Sequence, residues 1–169
     1  GMEVMGRVEK CGKGCESWQG KHVVAMPAGA HGGYAEYAIC PPVSAFEVPK
    51  EIPLPDAAAL YFPYHLAWLG LIERAKVQEG ETVLIHAAAG SVGSAAIQLA
   101  VNAGARVIAT AGADEKLDWC RKLGADIAVN YNRDDFVAVV KEATGGKGVD
   151  VVFDTVGEAV MEQSLGAIA

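Results

Sequence analysis

Apolar runs alternate with helical stretches throughout the second half of the chain, and this alternation constrains the fold more than any other feature. The apolar runs cover residues 82–87, 106–111, 127–130 and 149–154. The helical stretches between them cover 92–103, 114–123 and 134–143, each with a glycine at or near its end. Such alternation predicts βαβ units on a parallel sheet. Right-handed crossovers then predict the strand order 3-2-1-4, the beginning of a doubly wound, Rossmann-type α/β fold.

The first part of the chain has a different texture, with short β-like runs between glycines and prolines. The runs cover residues 4–8, 22–26, 34–40 and 45–48, which predicts part of a β-rich domain. A long apolar helical stretch follows from Pro55 to about residue 75, with a break expected near Pro63. The predicted organisation is a β-rich part at 1–53, a helical bridge at 54–80 and a Rossmann-type part at 81–169.

The turn after the first strand of the second half reads HAAAGSVGSAAIQLA. A dinucleotide-binding turn usually reads G-x-G-x-x-G, and here these positions hold Ala88, Gly90 and Gly93. An alanine fits the first position if its φ is negative, because its methyl group is small. The backbone N–H groups of Ser91 and Val92 are then expected to meet the pyrophosphate at the helix N-terminus. The alternative is an ordinary strand-to-helix turn.

Cofactor choice in such folds is decided at the end of the second strand, where an acid usually bonds the ribose 2′-OH of NAD. Thr110, Ala111 and Gly112 occupy that place, and the first carboxylate, Asp114, comes later, where we expect it to cap the next helix. Lys116 follows within one turn and can pair with a 2′-phosphate, although it could equally be a solvated lysine. The sequence therefore predicts NADPH rather than NADH.

Composition and charge exclude several kinds of partner. Hydrophobic residues make up 51% of the chain and charged residues 21%, which is typical of a globular protein. The net charge is -7 and the sequence contains no basic run, so we expect no nucleic acid partner. No apolar run reaches the roughly 18 residues of a membrane span, and we expect a cytoplasmic protein without membrane contact. The four cysteines are unevenly spaced and are expected to be reduced.

Several segments follow one another in a recognisable order: GMEVMGRV, HGGYAEY, VQEGETVLIHAAAGSVGSAAIQLA, GARVIATAGADEKL, LGADIAVNY and GKGVDVVFDTVG. Together they resemble the medium-chain dehydrogenase/reductase superfamily, and within it the zinc-independent NADPH:quinone oxidoreductases. The resemblance implies part of a GroES-like catalytic domain before the Rossmann-type domain, and in that family a turn beginning with alanine is normal. It also implies that Lys116 lies near the adenosine 2′-phosphate, Tyr131 beside the adenosine, and Thr155 near the middle of the cofactor. The predicted cofactor-binding residues are Gly90, Ser91, Val92, Gly93, Thr110, Gly112, Lys116, Tyr131 and Thr155.

The resemblance also bears on metal use, because many members of the superfamily polarise a substrate oxygen with zinc. Zinc-dependent members carry Gly-His-Glu where this chain has Gly1-Met2-Glu3, and their cysteine ligand falls near Phe62. A thioether is a poor ligand for Zn²⁺, and a phenyl ring is none. We therefore expect no metal site, and the isolated histidines His31, His65 and His86 are expected to be satisfied core or surface groups rather than ligands.

The activity that the resemblance implies is hydride transfer from the nicotinamide to a quinone or another α,β-unsaturated carbonyl, without zinc. Tyr64 and His65 are expected to line the substrate slot, and no catalytic residue is assigned, because water or the cofactor 2′-OH can supply the proton. Alternatives are a non-catalytic NADP-binding module, a reductase piece of a larger assembly, and a methyltransferase, against which the missing second-strand acid argues. Members of the family are longer, so we expect association as a homodimer, and weak or no turnover by these 169 residues alone.

Overall fold

In the computed structural model the chain divides into two units between Phe62 and Pro63. The structure describes residues 1–169 apart from the side chain of residue 159. The first unit is Gly1–Phe62 and the second is Pro63–Ala169. The three-part organisation expected from the sequence stays a prediction. None of the described helices is long and apolar enough to cross a membrane.

A three-stranded antiparallel sheet forms the centre of the first unit. Strand β1 (Val4–Arg7) pairs with β2 (His22–Ala25), which also pairs with β3 (Ala45–Glu47). Val24 of the central strand is buried and belongs to a small apolar cluster with Val48. These strands lie within three of the four β-like runs that the sequence predicts.

The fourth of these runs, residues 34–40, is not a strand, and the prediction was wrong. The chain bends at 34–36 and continues without regular structure. Tyr34 is 96% and Ile39 is 85% exposed. Ala28 donates to the carbonyl of Ile39 (2.7 Å), but no ladder of hydrogen bonds joins the run to another strand of the described chain. Alternation of apolar and polar residues makes a strand only where another strand accepts its backbone groups.

The helical stretch after the first sheet consists of three short pieces. Helix α1 (Leu54–Ala57) is followed by a turn at 58–61, helix α2 (Phe62–Trp68) and a π-helical segment at Leu69–Arg74. The break expected near Pro63 is confirmed. Pro63 lies in the first turn of α2, where a missing N–H costs no helical hydrogen bond.

The second unit contains a four-stranded parallel sheet. Its strands are β4 (Thr82–Ile85), β5 (Arg106–Ala111), β6 (Ile127–Asn130) and β7 (Val151–Phe153). Their order across the sheet is β6-β5-β4-β7, which confirms the predicted order 3-2-1-4 of a Rossmann-type fold. All pairings are parallel, because each connection contains a helix that returns the chain to the starting edge.

Helices cover both faces of this sheet. They are α3 (Ser91–Asn102), α4 (Asp114–Lys122), α5 (Phe136–Ala143) and α6 (Glu158–Ala167). On one face, Ile85 of β4 packs in a buried cluster with Ile97 of α3 and Cys120 of α4. On the other face, Leu84 packs in a second cluster with Val140 of α5. Because neighbouring strand residues point to opposite faces, a strand segment buried on both sides is apolar at successive positions, as residues 83–85 of β4 are.

Candidate cofactor-binding site

The glycine-rich turn joins the C-terminal end of β4 to the N-terminus of α3. Gly90 is the capping residue of α3, with φ of -75° and ψ of 172°, and no side chain caps this helix. The first N–H groups of any helix lack partners within the helix. Ser91 is exposed and Val92 is partly exposed, so their N–H groups are available to an anion.

Gly93 lies where α3 passes closest to the preceding strand. A Cβ atom built on Gly93 would lie 2.5 Å from the carbonyl oxygen of Ala87 and 2.6 Å from the Cα of Ala88. Both are backbone atoms, so a side chain could be accommodated only by moving the turn. This is the close helix-to-strand packing that the last glycine of a dinucleotide-binding turn usually allows.

The residue of the turn with an unusual backbone conformation is Ala87, not Ala88. Ala87 has φ of 48°, in the left-handed region, whereas Ala88 is outside that region and fully buried. The Ala88 N–H donates to the carbonyl of Thr110 (3.0 Å), and the Gly90 N–H donates to that of Ala87 (2.9 Å). Alanine in the place of the first glycine is therefore compatible with the turn, as expected. Comparison with the G-x-G-x-x-G motif did not indicate Ala87, because Ala87 lies one residue before the motif begins.

The end of β5 and the end of β6 form one surface. A Cβ atom on Gly112 would lie 2.6 Å from the hydroxyl oxygen of Tyr131, so a side chain at Gly112 would displace the ring. Asn132 Nδ2 donates to the Gly112 carbonyl (2.8 Å) and holds the two segments together. Tyr131 is 51% exposed, and Lys116 is exposed in the first turn of α4. The structure thus brings Gly112 and Tyr131 into contact.

Asp114 does not cap α4, and that expectation was wrong. Ala113 is the capping residue, without a side-chain cap, and Asp114 is the first residue of the helix. Its carboxylate pairs instead with Arg133 (2.9 Å) and accepts a hydrogen bond from Asn130 Nδ2 (3.3 Å). The hydrogen bonds from Arg133 and from Asn130 hold the pKa of the Asp114 carboxyl below its ordinary value. A tertiary contact with the end of β6 therefore replaces the local cap.

Thr110 lies beneath the turn rather than on its surface. It is 1% exposed, and its Oγ1 is 2.9 Å from Nδ1 of His86. The other ring nitrogen of His86, Nε2, is 2.9 Å from Oγ of Ser164 on α6. Because Ser164 donates its hydroxyl proton to the carbonyl of Val160 (2.7 Å), it accepts from His86 Nε2–H, and Thr110 donates to Nδ1. Direct contact of Thr110 with a cofactor stays a prediction.

His86 is thus a satisfied core group, which is one of the two possibilities that the sequence leaves open for its isolated histidines. Its burial lowers the pKa of the imidazole from the ordinary value of 6.5, and the charge of Asp154 partly offsets this. The neutral ring links β4, β5 and α6 directly under the glycine-rich turn. The sequence could not identify Ser164 as a partner of His86, because Ser164 lies on α6, far from His86 along the chain.

Thr155 and the glycine-rich turn follow neighbouring strand ends. Ile85 of β4 is paired in register with Phe153 of β7, so both connections leave the same edge of the sheet. Asp154 accepts hydrogen bonds from the N–H groups of Val156 (2.7 Å) and Gly157 (3.0 Å), which shape the loop that presents the exposed Thr155. Its contact with a cofactor stays a prediction.

The two residues expected to line the substrate slot lie on α2. Tyr64 is half-buried and packs against the apolar cluster that contains Ile97. His65 is exposed. Their role toward a substrate stays a prediction.

The two segments where zinc ligands would fall lie side by side in the first unit. The backbone N–H of Phe62 donates to Glu3 Oε2 (2.7 Å), which places Phe62 next to the segment containing Met2. A thioether and a phenyl ring are not a donor set that holds Zn²⁺. Among the described side chains, no group of three or more His, Cys, Asp or Glu could hold a metal ion. No step is therefore derived through zinc.

Comparison with known proteins gives consistent similarities. Residues 91–169 match the family described as zinc-binding dehydrogenase. The chain is 38% identical over 167 residues to 2-haloacrylate reductase from Burkholderia sp, covering 98% of this chain and 50% of that protein. It is 32% identical over 169 residues to quinone oxidoreductase from Sus scrofa, covering 100% of this chain and 51% of that protein. These similarities support the medium-chain dehydrogenase/reductase superfamily, and within it the quinone oxidoreductase-like family.

A solved structure of the same superfamily matches both units. Quinone oxidoreductase from Escherichia coli, complexed with NADPH, is similar with a TM-score of 0.89 and 35% sequence identity, covering 99% of this chain and 51% of that chain. The chain spans about half the length of the curated relatives reported above, 50% and 51%. The resemblance of its motifs to medium-chain dehydrogenases/reductases is thus confirmed at the level of fold and family.

Substitution of Gly93 tests the close packing of α3 on the turn. We expect Gly93→Ala to lower the free energy of unfolding by about 1–3 kcal/mol, because the new methyl group meets immovable backbone atoms. The matched control is Gly166→Ala on α6, where a Cβ would lie 3.7 Å from the nearest atom, a side-chain carbon of Val137. Denaturant unfolding measures both. Equal stability of the two variants would contradict the packing argument.

The buried His86 gives stability a dependence on pH. Its folded pKa is lowered from 6.5, so below about pH 6.5 the unfolded chain takes up a proton that the folded ring resists. Stability therefore falls as the pH drops below that value, and we expect His86→Gln to lose less stability than wild type between about pH 7.5 and 5.5. Urea unfolding at both pH values measures the difference. His22→Gln, at an exposed position, should behave as wild type, and a His86→Gln profile parallel to wild type would refute the assignment.

Proposed function

We propose that the chain is the cofactor-binding part of an NADPH-dependent oxidoreductase that transfers hydride to a quinone or another α,β-unsaturated carbonyl without zinc. The observation that carries the proposal is the surface formed by the ends of β5 and β6 and the first turn of α4. Gly112, Tyr131 and Lys116 lie there, in place of an unpaired acid. An acid there would bond the ribose 2′-OH of NAD, whereas a lysine favours the 2′-phosphate of NADP. The NADPH complex of the similar quinone oxidoreductase supports this choice.

The pyrophosphate would lie at the N-terminus of α3. Backbone N–H groups of Ser91 and Val92 donate to it, and the helix dipole favours its negative charge. Gly90 has no side chain that could obstruct the phosphates. A Cβ built there would lie 3.2 Å from the carbonyl oxygen of Ala87 and would meet no other atom. Gly93 contributes by keeping the helix close to the strand rather than by contact with the phosphates.

The adenosine and its 2′-phosphate would lie across Gly112 and beside Tyr131. The Tyr131 hydroxyl occupies the space that a side chain at Gly112 would take, and the half-exposed Tyr131 ring is the surface offered to a base or ribose. Lys116 forms no ion pair with any described carboxylate, so its charge is available to the phosphate. Thr155, which follows β7 at the same edge, would approach the middle of the cofactor.

The bound cofactor supplies the hydride, and the residues of this chain bind and orient it. Quinones and 2-haloacrylates, which the names of two relatives specify, share a carbon–carbon double bond next to a carbonyl group. This common feature supports an electron-poor unsaturated carbonyl as substrate. We propose Tyr64 and His65 as residues that line the substrate slot, and we assign no catalytic acid. The homodimer and the cytoplasmic location stay predictions.

Charge reversal at Lys116 tests cofactor choice. We expect Lys116→Glu to weaken NADPH binding about tenfold and to leave NADH binding unchanged, because only NADPH presents a phosphate to the new carboxylate. Fluorescence titration with both cofactors measures the two affinities. Lys122→Glu, which makes the same charge change at the other end of α4, is the control. An unchanged preference in Lys116→Glu would show that the phosphate does not bind there.

An assay of turnover tests the proposed reaction. The full-length product of the gene is incubated with NADPH and a panel of quinones, enones and aldehydes, with and without a chelator. We expect NADPH oxidation with the first two classes and no effect of the chelator, because Met2 and Phe62 supply no zinc ligands. Binding of NADPH without oxidation across the panel would indicate the non-catalytic module instead.

A further inference from the structure

One carboxylate does lie near the proposed 2′-phosphate site, and an arginine neutralises it. Asp114 begins α4 two residues after Gly112. Arg133 follows the end of β6 and reaches both of its oxygens: Nη2 is 2.9 Å from Oδ1, and Nη1 donates to Oδ2 (3.1 Å). Asn130 donates to Oδ1 as well (3.3 Å). This forked arrangement uses the carboxylate oxygens that would otherwise face a ligand.

Fold stability does not account for this ion pair. The side chain of Arg133 is 57% exposed and that of Asp114 is 67% exposed. Ion pairs at such exposure contribute little to stability, because water and salt screen them. Their local effect on a charged ligand is larger: an unpaired Asp114 would repel a phosphate dianion and could accept a hydrogen bond from a ribose 2′-OH.

We propose that Arg133 is a specificity-determining residue that masks Asp114 and thereby makes this edge of the sheet select a 2′-phosphorylated adenosine. Removal of Arg133 exposes an acid close to the end of β5, where NAD-binding folds usually carry one. The inference rests on the proposed function, since it assumes that the adenosine lies across Gly112. The inference extends the proposed function, because it names a residue, Arg133, that acts through Asp114 rather than through contact with the phosphate.

Other charges around the pair are consistent with this role. Arg133 also contacts Asp134, whose Oδ2 is 3.5 Å from Nε, so its charge is shared and it does not act as a free phosphate ligand. The Arg133 pairing keeps the pKa of Asp114 below its ordinary value, so Asp114 remains ionised and its masking matters at neutral pH. Lys116, one turn along α4, is left to contact the phosphate.

The experiment compares two probes that lack the nicotinamide, adenosine 2′,5′-bisphosphate and adenosine 5′-monophosphate, by calorimetry on the 169-residue chain. We expect Arg133→Gln to weaken bisphosphate binding about tenfold and to leave monophosphate binding equal or stronger, because the unmasked carboxylate repels the extra phosphate. The double variant Asp114→Asn/Arg133→Gln should recover bisphosphate affinity to within about threefold of wild type. Arg133→Lys should retain most of it. The control Arg121→Gln breaks a similar ion pair with Asp118 on the same helix (2.8 Å) and should change neither affinity.

Each outcome decides the proposal. If the double variant stays as weak as Arg133→Gln, the arginine contacts the phosphate itself and masking is wrong. If Arg133→Gln binds as wild type while Lys116→Glu does not, the proposed function stands and the role of Arg133 is wrong. If wild type does not distinguish the two probes, both fail. Should Arg133→Gln not fold, as judged by circular dichroism, wild-type affinity of the double variant supports masking and reduced affinity refutes it.

Discussion

Helix α3 packs on the end of β4 through backbone contact, and the candidate site depends on this contact. At Gly93 no side chain separates the helix from the Ala87 carbonyl, since the position of a Cβ is 2.5 Å from that oxygen. The close approach brings the N-terminus of α3, whose first N–H groups have no side-chain cap, to the C-terminal end of β4. Below it, the hydrogen-bonded series Thr110–His86–Ser164 joins two strands and α6. A buried polar network of this kind, with each group satisfied, holds a single arrangement of the turn.

The end of the second strand of the parallel sheet is where we propose selectivity for a 2′-phosphorylated adenosine. Gly112 and Tyr131 provide a surface that a nucleotide can approach, and the charges around it come from α4 and from the segment after β6. Because Arg133 occupies both oxygens of Asp114, the positive charge of Lys116 is not cancelled. In the proposed function, binding of the phosphates and discrimination of the ribose would be separated: backbone groups at α3 would supply the first and side chains near α4 the second.

Sequence reasoning succeeded where local pattern and buried surface agree. The strands and helices of the second unit could be predicted, because an apolar run between glycine-terminated helices has few alternatives to a buried parallel strand. It failed at residues 34–40, whose β-like composition finds no neighbouring strand in the described chain. It also did not indicate that the left-handed backbone conformation of the turn falls on Ala87. Asp114 was expected to cap its own helix, whereas its carboxylate pairs with Arg133.

The amino-acid sequence by itself determined the fold class, the strand order and the position of the glycine-rich turn. These follow from spacing, residue type and the handedness of crossovers, which are properties of neighbouring residues. Only the tertiary structure decided which side chains are paired. The contacts of His86 with Ser164 and of Asp114 with Arg133 join residues far apart in the chain, and no local pattern reports a distance between them. Charge available to a ligand depends on such pairing, so the selectivity that we propose for the site would be a tertiary property.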